Sequence, residues 1–235
     1  MVDRWLNNIQ FALFPPHCLL CGGPGDAPRD LCRHCHDALP RLTACCPVCA
    51  LPLAEEAAGR PCGRCRRPPP FAATRAAFRY APPLDRLVLD MKFAGRLAPA
   101  RLLGGLLAEH LARGSGPGPE MLLPVPLHPR RLRARGFNQA VELARPVAAR
   151  LGLPLHTRGC RRVRDTPAQS GLGAGARRRN VRGAFAVDAP VAGRRVALLD
   201  DVVTTGHTVT ELARALVAAG AERVEVWCLA RAPRP

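Results

Sequence analysis

Four Cys-x-x-Cys pairs crowd the first third of this chain and limit how that part of it can fold. Nine of the 11 cysteines lie between residues 18 and 65. A gap of two residues lets both sulfurs of a tight turn face one ion, and four thiolates in tetrahedral geometry form a closed structural zinc site. The pattern predicts two zinc sites, which replace the core that so short a segment lacks. The expected ligands are Cys18, Cys21, Cys32, Cys35, Cys46, Cys49, Cys62 and Cys65.

The alternatives to zinc are disulfides, an iron–sulfur cluster and thiol redox chemistry. The number and spacing of the cysteine pairs favour zinc. In a sequential arrangement the first two pairs hold one ion and the last two hold the other, which closes short loops; a crossed arrangement stays open. Cys45 is spare because its use would break the spacing. His17, His34 and His36 are expected bystanders, since four thiolates already fill each site.

Three consecutive prolines, Pro68, Pro69 and Pro70, follow the last pair and cannot continue the interior of a helix or strand. They predict a boundary between a zinc module at residues 1–70 and a larger domain at residues 71–235. The length of 235 residues suits that organisation, and 48% hydrophobic residues exclude a wholly disordered chain. The N-terminus lacks the apolar core of a signal peptide, and no apolar run is long enough to span a bilayer. We therefore expect a cytoplasmic protein with no membrane insertion.

A strand, a pair of carboxylates and a loop rich in threonine follow one another from residue 196. The run Val-Ala-Leu-Leu is typical of a buried parallel strand, and two aspartates follow at its carboxyl end. Helical spacing of apolar residues resumes at Val209, so the loop between them opens a helix. Backbone N–H groups at a helix start bind phosphate, and adjacent carboxylates accept hydrogen bonds from both ribose hydroxyls. The segment predicts a ribose phosphate site made by Asp200, Asp201, Val203, Thr204, Thr205, Gly206, His207 and Thr208.

Helix capping is the alternative role for the paired aspartates, and the Thr-Thr-Gly-x-Thr continuation disfavours it. A P-loop NTPase is excluded because the sequence has no G-x-x-x-x-G-K-[ST] motif. The segment resembles the phosphoribosyl-pyrophosphate (PRPP) signature of type I phosphoribosyltransferases. The resemblance implies that Asp200 and Asp201 hold the ribose hydroxyls and carry catalysis, while residues 203–208 hold the 5′-phosphate.

A second strand–loop–helix unit lies upstream. Residues 121–126 are predicted to form a strand, and the apolar spacing of residues 137–151 predicts a helix that Pro146 should kink or break. Residues 153–157 resemble a further strand. In a phosphoribosyltransferase the loop between the first strand and the helix contacts the pyrophosphate.

Arginine dominates the charge of this chain. It carries 35 Lys and Arg against 18 Asp and Glu, a net charge of +17, and Lys92 is its one lysine. Such an excess of positive charge favours phosphate or nucleic-acid partners. Part of the arginine content also reflects the coding bias of a GC-rich genome. The Gly-rich, basic segment at residues 158–182 is expected to close over a bound anion, with a solvated face as the alternative. The residues expected to contact the pyrophosphate are Lys92, His128, Arg130, Arg131, Arg178 and Arg179.

In their order along the chain, these motifs resemble the ComF (ComFC/GntX) family of bacteria. The resemblance rests on the cysteine pairs and on residues 87–93, 125–131, 135–140, 165–169, 179–181 and 200–208. It implies an α/β fold, with a type I phosphoribosyltransferase-like parallel sheet flanked by helices and an N-terminal double zinc ribbon. It also implies a role in natural competence through the handling of single-stranded DNA in the cytoplasm, with the competence helicase machinery as a partner.

Two kinds of function stay open at this point. One is a binding protein that holds PRPP or the sugar–phosphate backbone of single-stranded DNA, with aromatic side chains such as Phe93 available for stacking. The other is an enzyme of nucleotide metabolism without a DNA role, which transfers the ribose phosphate of PRPP to an acceptor by positioning and charge stabilisation. In either case Mg²⁺ is expected to accompany the pyrophosphate. Release of pyrophosphate from PRPP separates the two.

Overall fold

The structure is a computed structural model that describes residues 15–93, 96–114, 117–164 and 183–233. Its centre is a sheet of four parallel strands in which the two C-terminal strands are the inner ones. Across the sheet the strands are β1 (Ala73–Arg79), β6 (Arg223–Arg231), β5 (Arg195–Val203) and β2 (Met121–Pro124). A separate antiparallel pair consists of β3 (Cys160–Arg162) and β4 (Phe185–Val187). The expected parallel sheet is confirmed.

Alternate residues of β5 pack on opposite faces of the sheet. Val196 and Leu198 belong to one hydrophobic core, whereas Ala197 and Leu199 belong to the other. All four are at most 1% exposed. Burial on both faces explains why the sequence is a continuous apolar run here rather than an alternation of apolar and polar residues.

Helices cover both faces of the sheet. They are α1 (Arg33–Asp37), α2 (Leu84–Phe93), α3 (Leu97–Leu111), α4 (Pro129–Arg135), α5 (Gln139–Leu151) and α6 (His207–Ala218). Residues of α2, α3 and α5 pack into one core, and α6 packs into the other. In the part of the chain that the structure describes, no helix has the length and apolarity needed to cross a bilayer.

The cysteine-rich segment packs against the sheet domain at two places. Residues such as Leu31 and Leu39 join the core beneath α2 and α3. Ala50 and Phe71 join the core that contains α6. The two halves of the zinc module therefore contact the cores on opposite faces of the sheet. The division of the chain at residue 70 stays a prediction, and the packing shows that the two parts share buried surface.

Several sequence-based boundaries of the upstream unit were wrong. The strand ends at Pro124, and part of the expected loop between strand and helix is itself helical from Pro129, because proline suits the first turn of a helix. The following helix begins at Gln139, where the Asn138 side chain caps it by accepting from the Ala140 N–H. Residues 153–157 form no strand, since Leu155 makes only an isolated bridge to β2.

Pro146 does not break its helix. The helix α5 runs from Gln139 through Pro146 to Leu151. The proline ring instead lies against α3, where a Cβ on Gly104 would be 2.4 Å from the Pro146 Cγ and 2.9 Å from the Leu143 carbonyl oxygen. Glycine at this position therefore lets the two helices approach closely enough to accommodate the ring.

We expect Gly104→Ala to destabilise the fold by about 1–3 kcal/mol, because the added methyl group overlaps a proline ring and a backbone carbonyl. Gly105→Ala is the matched control, since a Cβ there meets no atom within 4 Å, and it should be neutral or stabilising by about 0.5–1 kcal/mol. Urea unfolding of both variants measures the difference. Equal stabilities would contradict the close contact between α3 and α5.

Candidate functional site

Eight cysteine sulfurs form two clusters, each contributed by two consecutive pairs. Within a cluster the sulfurs all lie within 4.8 Å of one another. The Sγ atoms of Cys21 and Cys32 are 3.8 Å apart, and those of Cys49 and Cys62 are 3.6 Å apart. Tetrahedral Zn–S bonds of about 2.3 Å place sulfurs roughly 3.8 Å apart, so both clusters fit a zinc ion. Sequential pairing is confirmed, and Cys45 lies outside both clusters.

The turn at the first cysteine pair has the same backbone conformation in both clusters. Gly22 and Ala50 each follow the second cysteine of a pair, and both have a positive φ, of 77° and 52° respectively. Their N–H groups donate to the carbonyls of Cys18 and Cys46 at 2.8 and 2.9 Å, which closes each turn. Burial raises the pKa of the Cys35 thiol to about 12, so a metal ion must displace its proton on binding. Zinc here would supply structure rather than catalysis, since each cluster provides four thiolates.

The two predicted aspartates lie within β5 rather than after it. The Lys92 Nζ, at the end of α2, is 2.6 Å from the Asp201 Oδ2. The side chains of this pair are only 22% and 6% exposed. Asp201 is therefore buried and does not lie at a solvent-facing edge of the sheet. Lys92 neutralises a buried carboxylate, and removal of either partner would leave an uncompensated buried charge.

Asp200 is partly buried beside this ion pair. Burial, followed by the charge of Asp201, raises the pKa of Asp200 to about 8, while Lys92 acts in the opposite direction. Two adjacent carboxylates cannot both ionise easily in one enclosed place. At neutral pH Asp200 is therefore largely protonated beside the contact between Lys92 and Asp201.

The loop after β5 encloses a small cavity at the start of α6. Gly206 has a φ of 79° and precedes the first helical residue, with no side chain capping the helix. The Thr205 Oγ1 is buried and has no hydrogen-bond partner among the residues described. A cavity of about 60 Å³ is lined by Asp200, by Val202 and by the predicted residues Val203, Thr204, Thr205, Gly206, His207 and Thr208. Its volume and its uncapped amides suit one phosphate group.

The upstream loop provides cations at the same edge of the sheet. The Val125 N–H donates to the Leu199 carbonyl at 2.8 Å, so the chain after β2 runs beside the strand that bears the aspartates. His128 caps α4 by accepting from the Arg130 N–H at 3.4 Å. Arg130 is exposed and Arg131 partly buried. Arg178 and Arg179, and most of the predicted closing segment at 158–182, lie outside the described residues.

Two arginines that donate hydrogen bonds to carbonyls of this loop were not identified from the sequence. The Arg231 side chain is 3% exposed and donates to the carbonyls of Val203 and Thr204. Arg64, within the last cysteine pair, donates to the Thr205 carbonyl at 3.3 Å. Both line a cavity of about 570 Å³ between the second cysteine cluster and α6. The available signal for Arg231 was a charged residue at the end of an apolar strand.

Comparison with known proteins finds matches to both parts of this chain. The double zinc ribbon domain matches residues 9–66, and the phosphoribosyl transferase domain matches residues 138–235. The chain is 40% identical over 223 residues to the DNA utilization protein YhgH of Salmonella typhi, a match that covers 92% of this chain and 97% of that protein. It is 34% identical over 226 residues to competence protein F of Haemophilus influenzae, with 92% and 96% covered. Among solved structures, 55% of the chain aligns with 25% of the allosteric regulatory enzyme of purine biosynthesis, at 22% identity and a TM-score of 0.37.

We expect the purified protein to bind two zinc ions per chain, one for each cluster. Cys32→Ser should lower the content to about one ion, because three thiolates leave the first site incomplete. Cys45→Ser is the matched control and should retain both ions, since Cys45 lies in neither cluster. Plasma mass spectrometry of the metal content tests this. Loss of zinc from the Cys45 variant, or two ions in the Cys32 variant, would refute the assignment.

Asp200→Asn should raise the Tm above that of the wild type by an amount that grows from pH 5 to pH 8. Folding raises the Asp200 pKa from 3.8 to about 8, so the folded wild type holds a proton that the unfolded chain has lost. The wild type therefore loses stability as pH rises through this window, whereas asparagine stays neutral. Each kcal/mol gained corresponds to about 2–4 °C in a chain of this size. A constant Tm difference across the range would exclude the raised pKa.

Proposed function

Because the chain belongs to the ComF family, in which a double zinc ribbon precedes a phosphoribosyl transferase domain, we propose that it binds PRPP or a related ribose phosphate and handles single-stranded DNA during natural competence. Two relatives carry the names DNA utilization protein and competence protein F, which supports the DNA role. The geometry at the end of β5 supports the ribose phosphate. In this proposal the protein acts in the cytoplasm, beside the competence helicase machinery.

The observation that carries the proposal is a carboxyl pair beside a cavity of phosphate size. Asp200 lines the same cavity of about 60 Å³ as the loop after β5. A bare phosphate needs no carboxylate and would be repelled by one. A ribose phosphate uses both parts, since its hydroxyls donate to carboxylates while its 5′-phosphate accepts from backbone N–H groups.

Lys92 gives this site its charge balance. In the ligand-free protein it pairs with Asp201 at 2.6 Å, and the raised pKa of Asp200 keeps that group largely protonated. The site therefore presents little net negative charge to an incoming pyrophosphate. We assign the 5′-phosphate to residues 203–208 and the ribose hydroxyls to the two aspartates.

The pyrophosphate of PRPP is assigned to the cations at the same edge. His128, Arg130 and Arg131 lie at the start of α4, which follows the strand next to β5. Arg178 and Arg179 remain further candidates. Mg²⁺ is expected to arrive with the pyrophosphate as part of the ligand, because it retains waters and phosphate oxygens in preference to an all-protein shell.

An exposed aromatic side chain with an adjacent arginine lies beside this site and suits contact with a nucleic acid. The Phe93 side chain is 74% exposed and follows Lys92 directly. The Arg135 guanidinium lies over the Phe93 ring, 5.6 Å from its centroid. An exposed ring with an adjacent cation can stack on a base and contact a phosphate at the same time. Affinity for a single strand should be mainly electrostatic and should fall steeply with salt.

The second candidate function is transfer of the ribose phosphate to an acceptor in nucleotide metabolism, without a DNA role. The pairing of Lys92 with Asp201 favours it, because a fixed carboxylate can stabilise positive charge that develops on the ribose ring during loss of pyrophosphate. In this transfer the bond between the ribose C1 and the pyrophosphate oxygen would break, a bond from C1 to the acceptor would form, and pyrophosphate and the acceptor's proton would be released. Release of pyrophosphate in the presence of candidate acceptors, measured beside single-strand binding, separates the two functions.

At pH 9, above the raised pKa of about 8 and with Asp200 ionised, Asp200→Asn should weaken the binding of PRPP with Mg²⁺ by about ten- to hundredfold, while inorganic phosphate should bind no more weakly than to the wild type. Each lost charge-assisted hydrogen bond contributes roughly 1.5–3 kcal/mol. The single variant is preferable to a double one because removal of the Asp201 charge would leave Lys92 unpaired in a half-enclosed place. Calorimetric titration of both ligands gives the two affinities.

Asp26→Asn is the matched control for this titration. It makes the same change in net charge at an exposed position in the cysteine-rich segment, and it should bind PRPP as the wild type does. A wild type that does not bind PRPP, or equal PRPP affinities for wild type and Asp200→Asn, would overturn the ribose phosphate assignment.

A further inference from the structure

Arginine side chains hold three consecutive carbonyls of the loop after β5. The Arg231 Nη1 donates to the Val203 carbonyl at 2.8 Å and also to the Thr204 carbonyl. The Arg64 Nη1 donates to the next carbonyl, that of Thr205, at 3.3 Å. Both arginines line the larger cavity. The Val203 carbonyl also accepts from the Ala232 N–H at 3.0 Å, so strand pairing helps to hold it.

The same contacts fix the directions of three N–H groups. In a trans peptide the carbonyl of one residue and the N–H of the next point in opposite directions, and these peptides are trans. Holding the carbonyls of residues 203–205 therefore turns the N–H groups of Thr204, Thr205 and Gly206 away from the arginines. None of these three N–H groups has an acceptor within the described ranges. Successive N–H groups that point the same way form an anion-binding concavity.

Arg231 is itself an unusual buried cation. It is 3% exposed, and no carboxylate in the described ranges lies within ion-pair distance of it. Its remaining bonds go to the carbonyls of Cys49 at 3.0 Å and Ala232 at 2.8 Å. Burial of a charge compensated only by carbonyl dipoles is costly. A bound anion on the other side of the loop would supply the missing negative charge.

We propose that Arg231 and Arg64 are positioning residues that orient the loop amides toward a phosphate and make the second zinc ribbon part of that site. The proposal rests on the proposed function, because the anion concerned is the 5′-phosphate. Arg231 bonds to the carbonyl of a cysteine in the second cluster, and Arg64 lies between two cysteines of the same cluster. The fold of this ribbon therefore sets the position of both guanidinium groups.

The first zinc ribbon makes contacts of another kind. Arg29 in that ribbon pairs with Glu109 of α3 at 2.9 Å, and Arg86 of α2 donates to the Leu20 carbonyl at 3.4 Å. These bonds join the ribbon to helices rather than to the loop. Disruption of the two zinc sites should therefore affect anion binding unequally.

The central test is the exposed residue Arg64, whose substitution leaves the buried core intact. Arg64→Ala should weaken binding of inorganic phosphate about threefold, the usual effect of one lost hydrogen bond. Arg66→Ala is the control, because it removes the same charge from an exposed position in the same ribbon and should change nothing. Arg231→Lys should weaken phosphate binding about tenfold or more, since an ammonium keeps the charge but loses the planar fork.

Amide NMR spectra separate positioning from general loss of structure. In the wild type, addition of inorganic phosphate should shift the amide signals of Thr204, Thr205 and Gly206 to lower field. The shifts should shrink in Arg231→Lys and in Arg64→Ala while signals from α3 stay in place. Cys62→Ser, in the second cluster, should reduce them, and Cys32→Ser, in the first, should not.

The outcomes distinguish this inference from the function on which it rests. A wild type that binds neither phosphate nor PRPP would overturn both. A wild type that binds, together with Arg64→Ala and Arg231→Lys variants that bind equally well and show unchanged shifts, would overturn the positioning role alone. Equal losses in the Arg64 and Arg66 variants would also overturn it, because general electrostatics would then explain them.

Discussion

Parallel pairing of β5 with β6 and β2 is the interaction on which the rest of the structure depends. It brings the carboxyl ends of three strands to one edge, so that segments far apart in sequence meet there. Val203 pairs in register with Arg231, which explains how a residue near the C-terminus reaches a loop that follows a different strand. The Val125 N–H continues the other ladder by donating to Leu199 at 2.8 Å, and this directs the basic helix α4 to the same place.

The burial of charged side chains at this site opposes folding. Asp201 and Arg231 are both buried at the end of the central strands, and Asp200 is partly buried beside them. The fold compensates the first with Lys92 and the second with four backbone carbonyls. Buried charges of this sort rarely add stability over apolar residues. Their presence is easier to understand if a charged ligand completes the arrangement, since the cost then appears mainly in the empty protein.

Local patterns predicted much of the fold, and long-range contacts explain what they missed. The cysteine spacing gave the two clusters, and the apolar run at 196–199 gave the central strand, because each signal lies within a few residues. Pro146 was predicted to kink or break its helix, but the helix continues through it, and the close packing of its ring depends on Gly104 of another helix. Burial of Asp201 depends on Lys92, more than 100 positions away in the sequence. Arg64 and Arg231 were missed for the same reason, since their acceptors belong to distant segments.

The lone lysine has a chemical consequence of its own. Every other strongly basic side chain is a guanidinium, which stays protonated and does not acylate under mild conditions. Lys92 therefore carries the chain's one ε-amino group, and it contacts Asp201. Acetylation would remove the positive charge from this contact and leave the carboxylate buried without its counter-ion. A reagent or enzyme that acylates amines would therefore find one lysine side chain in this protein, and that lysine lies in the candidate site.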